Sequence, residues 1–308
     1  MEGHPLDGPP NATGVSAMRQ PPPTVVRGRA WRWGERTFVM GVVNVTPDSF
    51  SGDGLLARHD PIAAAVDQAT AMVEAGADIL DVGGESTRPG SDAVDEAEEI
   101  ARVRPVIAAI RRALEVPISI DTSKAAVAEA ALDAGADLVN DVWAMSADPR
   151  MADVVARARV PVVLMHNRLA TAATGGPVGG HYADVRYDDV VADVRNALLG
   201  LAEAARGAGI PPEHIILDPG LGFGKTPAQN LELLDRVDEL RSLGWPILVG
   251  PSRKSFVGAA LGLPPGDRLE GTAAAVAVAV ARGADIVRVH DVAAMVRVAR
   301  MADAIVRR

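Results

Sequence analysis

Residues 75–88 read AGADILDVGGESTR. A helix ends at Ala75, Gly76 supplies the glycine that stops it, and the apolar run Ile79–Val82 follows at once. That run opens into Glu85, Ser86, Thr87 and Arg88. The first part of the phrase returns as Ala134–Leu138 (AGADL) and Arg282–Ile286 (RGADI). Each copy reads as helix end, glycine, aspartate, buried strand. Asp78, Asp137 and Asp285 therefore sit at strand starts and read as architecture.

The second part of the phrase, an apolar run ending in polar residues, occurs eight times. Val39–Val43 leads to Asn44, Ile79–Val82 to Arg88, and Ile118–Ile120 to Asp121. Leu138–Val139 stops at Asn140, Val162–Met165 at His166 and Ile215–Leu217 at Asp218. Ile247–Val249 leads to Ser252, Arg253 and Lys254, and Ile286–Val289 carries Arg288 before His290 and Asp291. In a (β/α)8 barrel all such positions meet at the C-terminal mouth, where chemistry is placed. The spacing predicts an α/β fold of the TIM barrel type, a single domain over residues 25–308. The competing architecture is an open doubly wound sheet, whose mark is a Gly-rich fingerprint after the first strand. Asn44-Val45-Thr46-Pro47-Asp48 is no such motif.

Start and stop signals give the helices. Asp60-Pro61 opens one that ends at Gly76, and Ser123 is placed to cap another running to Ala134. Further helices are expected from Asp148-Pro149 to Ala158, over Asp184–Arg206, Thr226–Leu243 and Leu269–Arg282, and over Val292–Val306. Met1–Thr24 is dense in Pro and Gly and reads as a disordered tail. Arg27–Thr37 reads as a hairpin across Gly34, a lid on the barrel floor.

The chain has 308 residues, a net charge of −9, 48% hydrophobic residues and 3% aromatics. A core of Val, Leu, Ile and Ala suits an α/β barrel. The acidic balance argues against a general nucleic-acid binder and leaves an anionic substrate open. There is no cysteine, so thiolate metal sites, disulfides and a Cys nucleophile are excluded. No apolar run approaches a membrane span, and the N-terminus lacks a signal-peptide pattern. A cytoplasmic enzyme is expected.

Two residue sets carry the chemistry. Asp121, Asn140, Asp218 and Lys254 follow apolar strands and belong at the edge of the core. Together they suit a flat heterocycle with an amidine-like or guanidine-like edge, since a carboxylate accepts two parallel N–H bonds. The competing reading is a salt-bridge network around Lys254. Asn44, Arg88, Arg288 and His290 form an anion set: arginine forks match phosphate or carboxylate, and Asn44 offers an oxygen to Mg²⁺. For Arg288 the competing reading is a surface pair with Asp291. The glycines of Asp218–Lys225 read as a turn that brings Phe223 toward a ring. Met165 reads as core filling, and His166 as a satisfied strand-end histidine ahead of a catalytic one.

These motifs together resemble the dihydropteroate synthase family from Phe38 onward. They are Asn44–Ser51 (NVTPDSFS), Asp81–Gly90 (DVGGESTRPG), Ser119–Ser123 (SIDTS), Asn140-Asp141, Asp218–Lys225 (DPGLGFGK), Ser252–Ser255 (SRKS) and Arg288–Asp291 (RVHD). The resemblance implies that Asp121, Asn140, Met165, Asp218 and Lys254 hold the pterin of 6-hydroxymethyl-7,8-dihydropterin pyrophosphate, with Arg253 over one face. It implies that Asn44, Arg88, Arg288 and His290 hold the pyrophosphate, with Mg²⁺ on Asn44. Thr87, Pro89, Phe223 and Ser252 would shape a p-aminobenzoate site that sulfonamides also fit. Catalysis is implied for Asp121, Asp218, Lys254 and Asp53, by a dissociative substitution at the pterin methylene carbon, in a homodimer paired through late helices. One departure stands out. The family reads Ser-Asp-Gly-Gly after the first-loop Phe, and this chain reads Ser51-Gly52-Asp53-Gly54. A corrinoid-linked methyltransferase barrel and a binding-only paralogue are the alternatives; the first would bring a cobalamin module.

Overall fold

The computed structural model describes residues 20–45, 60–85, 94–168 and 186–308. A hairpin of β1 (Thr24–Val26) and β2 (Arg29–Trp31) precedes eight barrel strands. These are β3 (Phe38–Asn44), β4 (Ile79–Gly83), β5 (Ile118–Asp121) and β6 (Leu138–Asp141). β7 (Val162–Met165), β8 (Ile215–Asp218), β9 (Leu248–Val249) and β10 (Ile286–Val289) complete them. All neighbours are parallel, in the order β8-β7-β6-β5-β4-β3-β10-β9. A parallel bridge between Leu217 and Ile247 joins the two ends. The predicted barrel is the one observed.

Helices cover the outside: α1 (Pro61–Glu74), α2 (Glu96–Ala113), α3 (Ala125–Asp133), α4 (Met151–Ala158) and α5 (Val190–Gly207). α6 (Pro227–Asp235), α7 (Val237–Arg241), α8 (Ser255–Leu261), α9 (Leu269–Ala281) and α10 (Val292–Val306) follow. Asp60 caps α1 by accepting from the N–H groups of Ile62 and Ala63, as its place before Pro61 implied. Ser123 caps nothing: Lys124 holds the cap position of α3 without a side-chain bond. The expected Thr226–Leu243 helix is broken at Arg236, whose φ is −112°. Asp189, accepting from Val191 and Ala192, starts α5 later than Asp184. α2, capped by Asp95, and α8 went unread in the sequence.

Side-chain alternation sorts the strands into layers, because residues i and i+2 share a face. Met40, Ile79, Leu138, Val163, Ile216, Leu248 and Ile286 point inward and pack as one apolar cluster. Val39, Leu80, Ile120, Val139, Leu164, Leu217, Val249 and Val287 point outward into the core shared with the helices. Trp31, Trp33 and Phe38 close the inner cluster from below, with ring centroids 5.2–5.9 Å apart. The hairpin thus seals the floor as expected, but it turns at Arg27-Gly28, not at Gly34. Both turn residues have positive φ, 50° and 72°, which a two-residue hairpin loop of this hand requires. Thr24, assigned to the tail, is fully buried in β1, where it accepts from the Trp33 indole and donates to the carbonyl of Glu213. Residues 1–19 of the tail lie outside the described residues.

The repeated aspartates share one job. Asp78 accepts the N–H of Val39 at 2.9 Å, Asp137 that of Ile118 at 2.9 Å, and Asp285 that of Ile247 at 3.1 Å. Each takes a donor at the start of the neighbouring strand, which has no ladder partner there. Asp285 is fully buried and also accepts from the N–H of Gly34. Asp285→Ala should therefore cost about 3 kcal/mol, because a buried donor at Ile247 and a half-buried one at Gly34 lose their acceptor. Urea unfolding followed by circular dichroism would show the midpoint fall, while turnover per folded molecule stays unchanged.

Candidate active site

The alternation that builds the apolar floor also builds the site. Two residues beyond Ile79, Leu138, Val163, Ile216 and Ile286 come Asp81, Asn140, Met165, Asp218 and Arg288. Asp121 joins them on β5, in register with Gly83 and Asn140 on either side. Five polar side chains, with Met165 among them, thus form a layer directly above the apolar one. None lies on a loop.

Arg288 organises this layer. Its Nε donates to Asp81 at 2.6 Å and its Nη2 to Asp121 at 2.6 Å. Asn140 donates to the same Asp81 oxygen at 3.0 Å. Asp81 is fully buried and Asp121 nearly so. One guanidinium serves two carboxylates, so the cluster carries an excess negative charge whenever Asp121 is ionised. Burial pushes the Asp121 carboxyl up to about 7, against the pull of Arg288 and with the help of Asp81. The other oxygen of each carboxylate, Oδ1 of Asp81 and of Asp121, is buried without a hydrogen-bond partner among the described residues. Those atoms are acceptors waiting for donors. The surface pair between Arg288 and Asp291 does not form. Nor does the network around Lys254: the buried network is centred on Arg288.

The loop after β8 supplies a second wall. Asp218 accepts the N–H of Gly220 at 2.7 Å; burial raises its carboxyl, opposed by the Lys254 charge. Gly220 has φ 67°, and a Cβ there would lie 2.1 Å from the carbonyl oxygen of His166, so only glycine fits. Lys254 donates to the carbonyl of Leu221, and its ammonium lies 4.7 Å from the centroid of the Phe223 ring. Burial lowers the Lys254 ammonium to about 8. The Gly-rich turn does bring Phe223 to the site, beside Lys254. Asn230, unread in the sequence, ties the turn down: it accepts from Gly222 at 2.6 Å and donates to the carbonyls of Lys225 and Thr226.

Two side-chain pairs stitch the ends of β9 and β10. Ser252 Oγ meets both the N–H and the Nδ1 of His290, at 3.1 and 3.0 Å. Arg253 forks onto Asp291 through Nε and Nη2, at 3.0 and 2.6 Å. The Arg253 backbone sits in the left-handed region at φ 58°, held by Thr272 and Arg268. Strain of this kind concentrates at functional sites. His166 is buried and neutral: burial, Lys225 and Arg168 push it down to about 3. Its satisfied role was the one expected.

Asn44 ends β3 beside Gly83, half-buried at the mouth. It offers one neutral oxygen to a divalent cation, and among the described residues no acidic or histidine cluster adds to it. A single oxygen fits Mg²⁺ that keeps its waters and comes bound to phosphate. Asp53, Thr87, Arg88 and Pro89 lie outside the described residues. Asp81 is the main residue that sequence reasoning missed as a site group. Its signal was present: a carboxylate at the centre of the apolar run Ile79–Val82.

Known proteins share this fold and much of this sequence. The model of the pterin binding enzyme family matches residues 40–290. A dihydropteroate synthase of Clostridium beijerinckii is 48% identical over 276 residues, covering 89% of this chain and 96% of that protein. The structure of Xanthomonas albilineans dihydropteroate synthase with 4-aminobenzoic acid superposes with a TM-score of 0.83 at 44% identity, over 93% of this chain and 98% of that one. The same enzyme in complex with 7,8-dihydropteroate gives 0.80 at 41% identity, over 92% and 98%. With the family model spanning β3 to β10 and relatives matched nearly end to end, the chain belongs to the dihydropteroate synthase family of pterin binding enzymes.

Proposed function

We propose that this chain is a cytoplasmic transferase that condenses 6-hydroxymethyl-7,8-dihydropterin pyrophosphate with p-aminobenzoate, giving 7,8-dihydropteroate and pyrophosphate. The observation that carries the reading is the buried layer of Asp81, Asp121, Asn140 and Arg288, with its excess negative charge and two open carboxylate oxygens. A pterin ring presents amide and amino N–H groups on one edge, and such an edge fills those acceptors. Asp218, Met165 and Lys254 would border the ring, and Arg253 would cover one face. Arg288 would then be shared. Two of its donors are committed to Asp81 and Asp121, which leaves Nη1 for the diphosphate with Asn44, Arg88 and His290. Mg²⁺ on Asn44 would offset the charge of the departing diphosphate.

The reaction balances without a strong base. The methylene C–O bond breaks and pyrophosphate leaves with the electron pair. The positive charge spreads over the pterin, where Asp121 and Asp218 stabilise it from fixed positions. The amine nitrogen of p-aminobenzoate then forms the C–N bond and releases a proton to solvent. Phe223, Ser252, Thr87 and Pro89 would seat that second substrate, and sulfonamides would compete for the seat. The protein carries no cobalamin-type module over its described residues, and the pyrophosphate pocket suits a leaving group better than a methyl donor.

A homodimer is part of the reading. α9 and α10 leave an apolar groove of about 750 Å³ between them. Leu269, Val278, Met301, Ile305 and Val306 line it, half of the ten large hydrophobics exposed among the described residues. A second copy of the chain, presenting the same face, would bury them isologously.

Turnover tests the reading first. Protein given both substrates and Mg²⁺ should release pyrophosphate and form dihydropteroate. Lys254→Ala should lower kcat/KM at least about a hundredfold, or ~2.7 kcal/mol. Silence from folded wild-type protein would leave a binding-only paralogue. The pH profile follows from the two buried groups. Asp121 is raised, so it is ionised only above about 7; Lys254 is lowered, so it is charged only below about 8. kcat/KM should therefore peak between these values and fall on both sides, and Asp121→Asn should erase the acid limb. For the dimer, Val278→Glu with Met301→Glu should sediment as a monomer where wild type sediments as a dimer; a monomeric wild type would end that part of the proposal.

A further inference from the structure

Lys225 is a half-buried lysine that the reaction does not use, its ammonium lowered to about 7 by desolvation. Its Nζ donates to the carbonyl of Gly220 at 2.9 Å, to that of Phe223 at 2.9 Å, and meets Nδ1 of His166 at 3.1 Å. An ammonium has three N–H donors, and here all three find an acceptor. No carboxylate among the described residues pairs with it. Burying an ammonium among neutral acceptors is costly, so this placement asks for a reason. Two of its acceptors belong to the turn 218–225, and the third belongs to the end of β7. Lys225 therefore folds the turn back on itself and fastens it to the next strand.

The turn it fastens carries Phe223, whose ring lies beside Lys254. Gly220, Gly222 and Gly224 have φ of 67°, 82° and 63°. Such a chain has little intrinsic preference for one shape. Asn230 holds one side of the turn, through Gly222 and the carbonyl of Lys225. The Gly220 carbonyl also accepts the Phe223 N–H, and Lys254 holds the Leu221 carbonyl, but among the described residues Lys225 is the side chain that joins the carbonyls of Gly220 and Phe223 to His166 at the end of β7.

We propose that Lys225 is a positioning residue for the second substrate: its ammonium clasps the turn 218–225 to His166 and so sets the Phe223 ring that p-aminobenzoate packs against. The assignment of Phe223 rests on the function proposed above. The clasp bears on the second substrate, because the layer that carries the pterin reading, Asp81, Asp121, Asn140 and Arg288, lies on β4, β5, β6 and β10, which Lys225 does not touch; Asp218 and Lys254, which would border the ring, meet the turn through the Gly220 N–H and the Leu221 carbonyl, not through the two carbonyls that Lys225 holds. A general structural role would not make that distinction.

The test compares wild type with Lys225→Met and Lys225→Arg. KM for p-aminobenzoate should rise at least tenfold in Lys225→Met and be partly restored in Lys225→Arg. KM for the pterin pyrophosphate should stay within threefold in both. Equal rises for both substrates, or no change in either, would overturn the proposal. Hydrogen exchange of the amides of residues 219–224, read by mass spectrometry on the free protein, gives a second readout independent of turnover. Those amides should exchange faster in Lys225→Met than in wild type while the barrel strands keep their protection; unchanged exchange would refute the clasp. Should wild type turn over nothing, the function reading fails and exchange still decides the clasp. Should Lys225→Met fail to fold, Lys225→Arg decides by the same two measurements: slower loop exchange than wild type, or p-aminobenzoate KM unmoved with exchange unmoved, counts against it.

Discussion

One guanidinium held between two buried carboxylates sets the character of this barrel. Arg288 binds Asp81 and Asp121 at 2.6 Å each, deep enough that water does little to screen them. Breaking such a cluster by removing one partner is expensive, since an unpaired charge stays behind. With Asp121 ionised, the cluster is also incomplete by one positive charge. That imbalance is what makes it a receptor and not a mere brace. A ligand that brings donors, or develops positive charge during reaction, finds its compensation already in place.

The barrel separates this chemistry from its stability. Strand alternation puts Met40, Ile79, Leu138, Val163, Ile216, Leu248 and Ile286 in one inward layer, and the site in the next layer up. Below them the Trp31, Trp33 and Phe38 rings plug the floor. Asp78, Asp137 and Asp285 satisfy strand-start donors at that same lower end. Aspartates thus appear at both ends of the strands with opposite duties. At the floor each is used up, Asp285 by two backbone N–H groups, and Asp78 and Asp137 by one backbone N–H group and arginine side chains. At the mouth Asp81 and Asp121 each keep an oxygen open.

The mouth is shaped by backbone that no regular element dictates. Arg253 at φ 58° is held by Thr272 and Arg268, and the turn 218–225 depends on glycines that Asn230 and Lys225 fasten. The short pairs Ser252–His290 and Arg253–Asp291 join consecutive residues of two strand ends. They tie together two loops that are far apart in sequence.

Much of this was legible in residue order. Strand ends, most helices and the glycine stops follow from local periodicity and capping, which act over a few residues. Asp121, Asn140, Asp218 and Lys254 were recognisable because a polar group after an apolar run has few other uses. Ser123 misled, because a good capping residue is only an option that Lys124 pre-empted. Asp81 and Lys225 were missed, and Arg288 was half-read, for a common reason. Their meaning lies in partners at long range: 207 residues separate Asp81 from Arg288, and 59 separate Lys225 from His166. The sequence by itself determined the barrel, its polar mouth and the chemical kinds of group found there, since these rest on local patterns. Only the tertiary structure decided which carboxylates share Arg288, which oxygens stay open and which ammonium fastens the turn, because pairing is settled by distance in space and not by order along the chain.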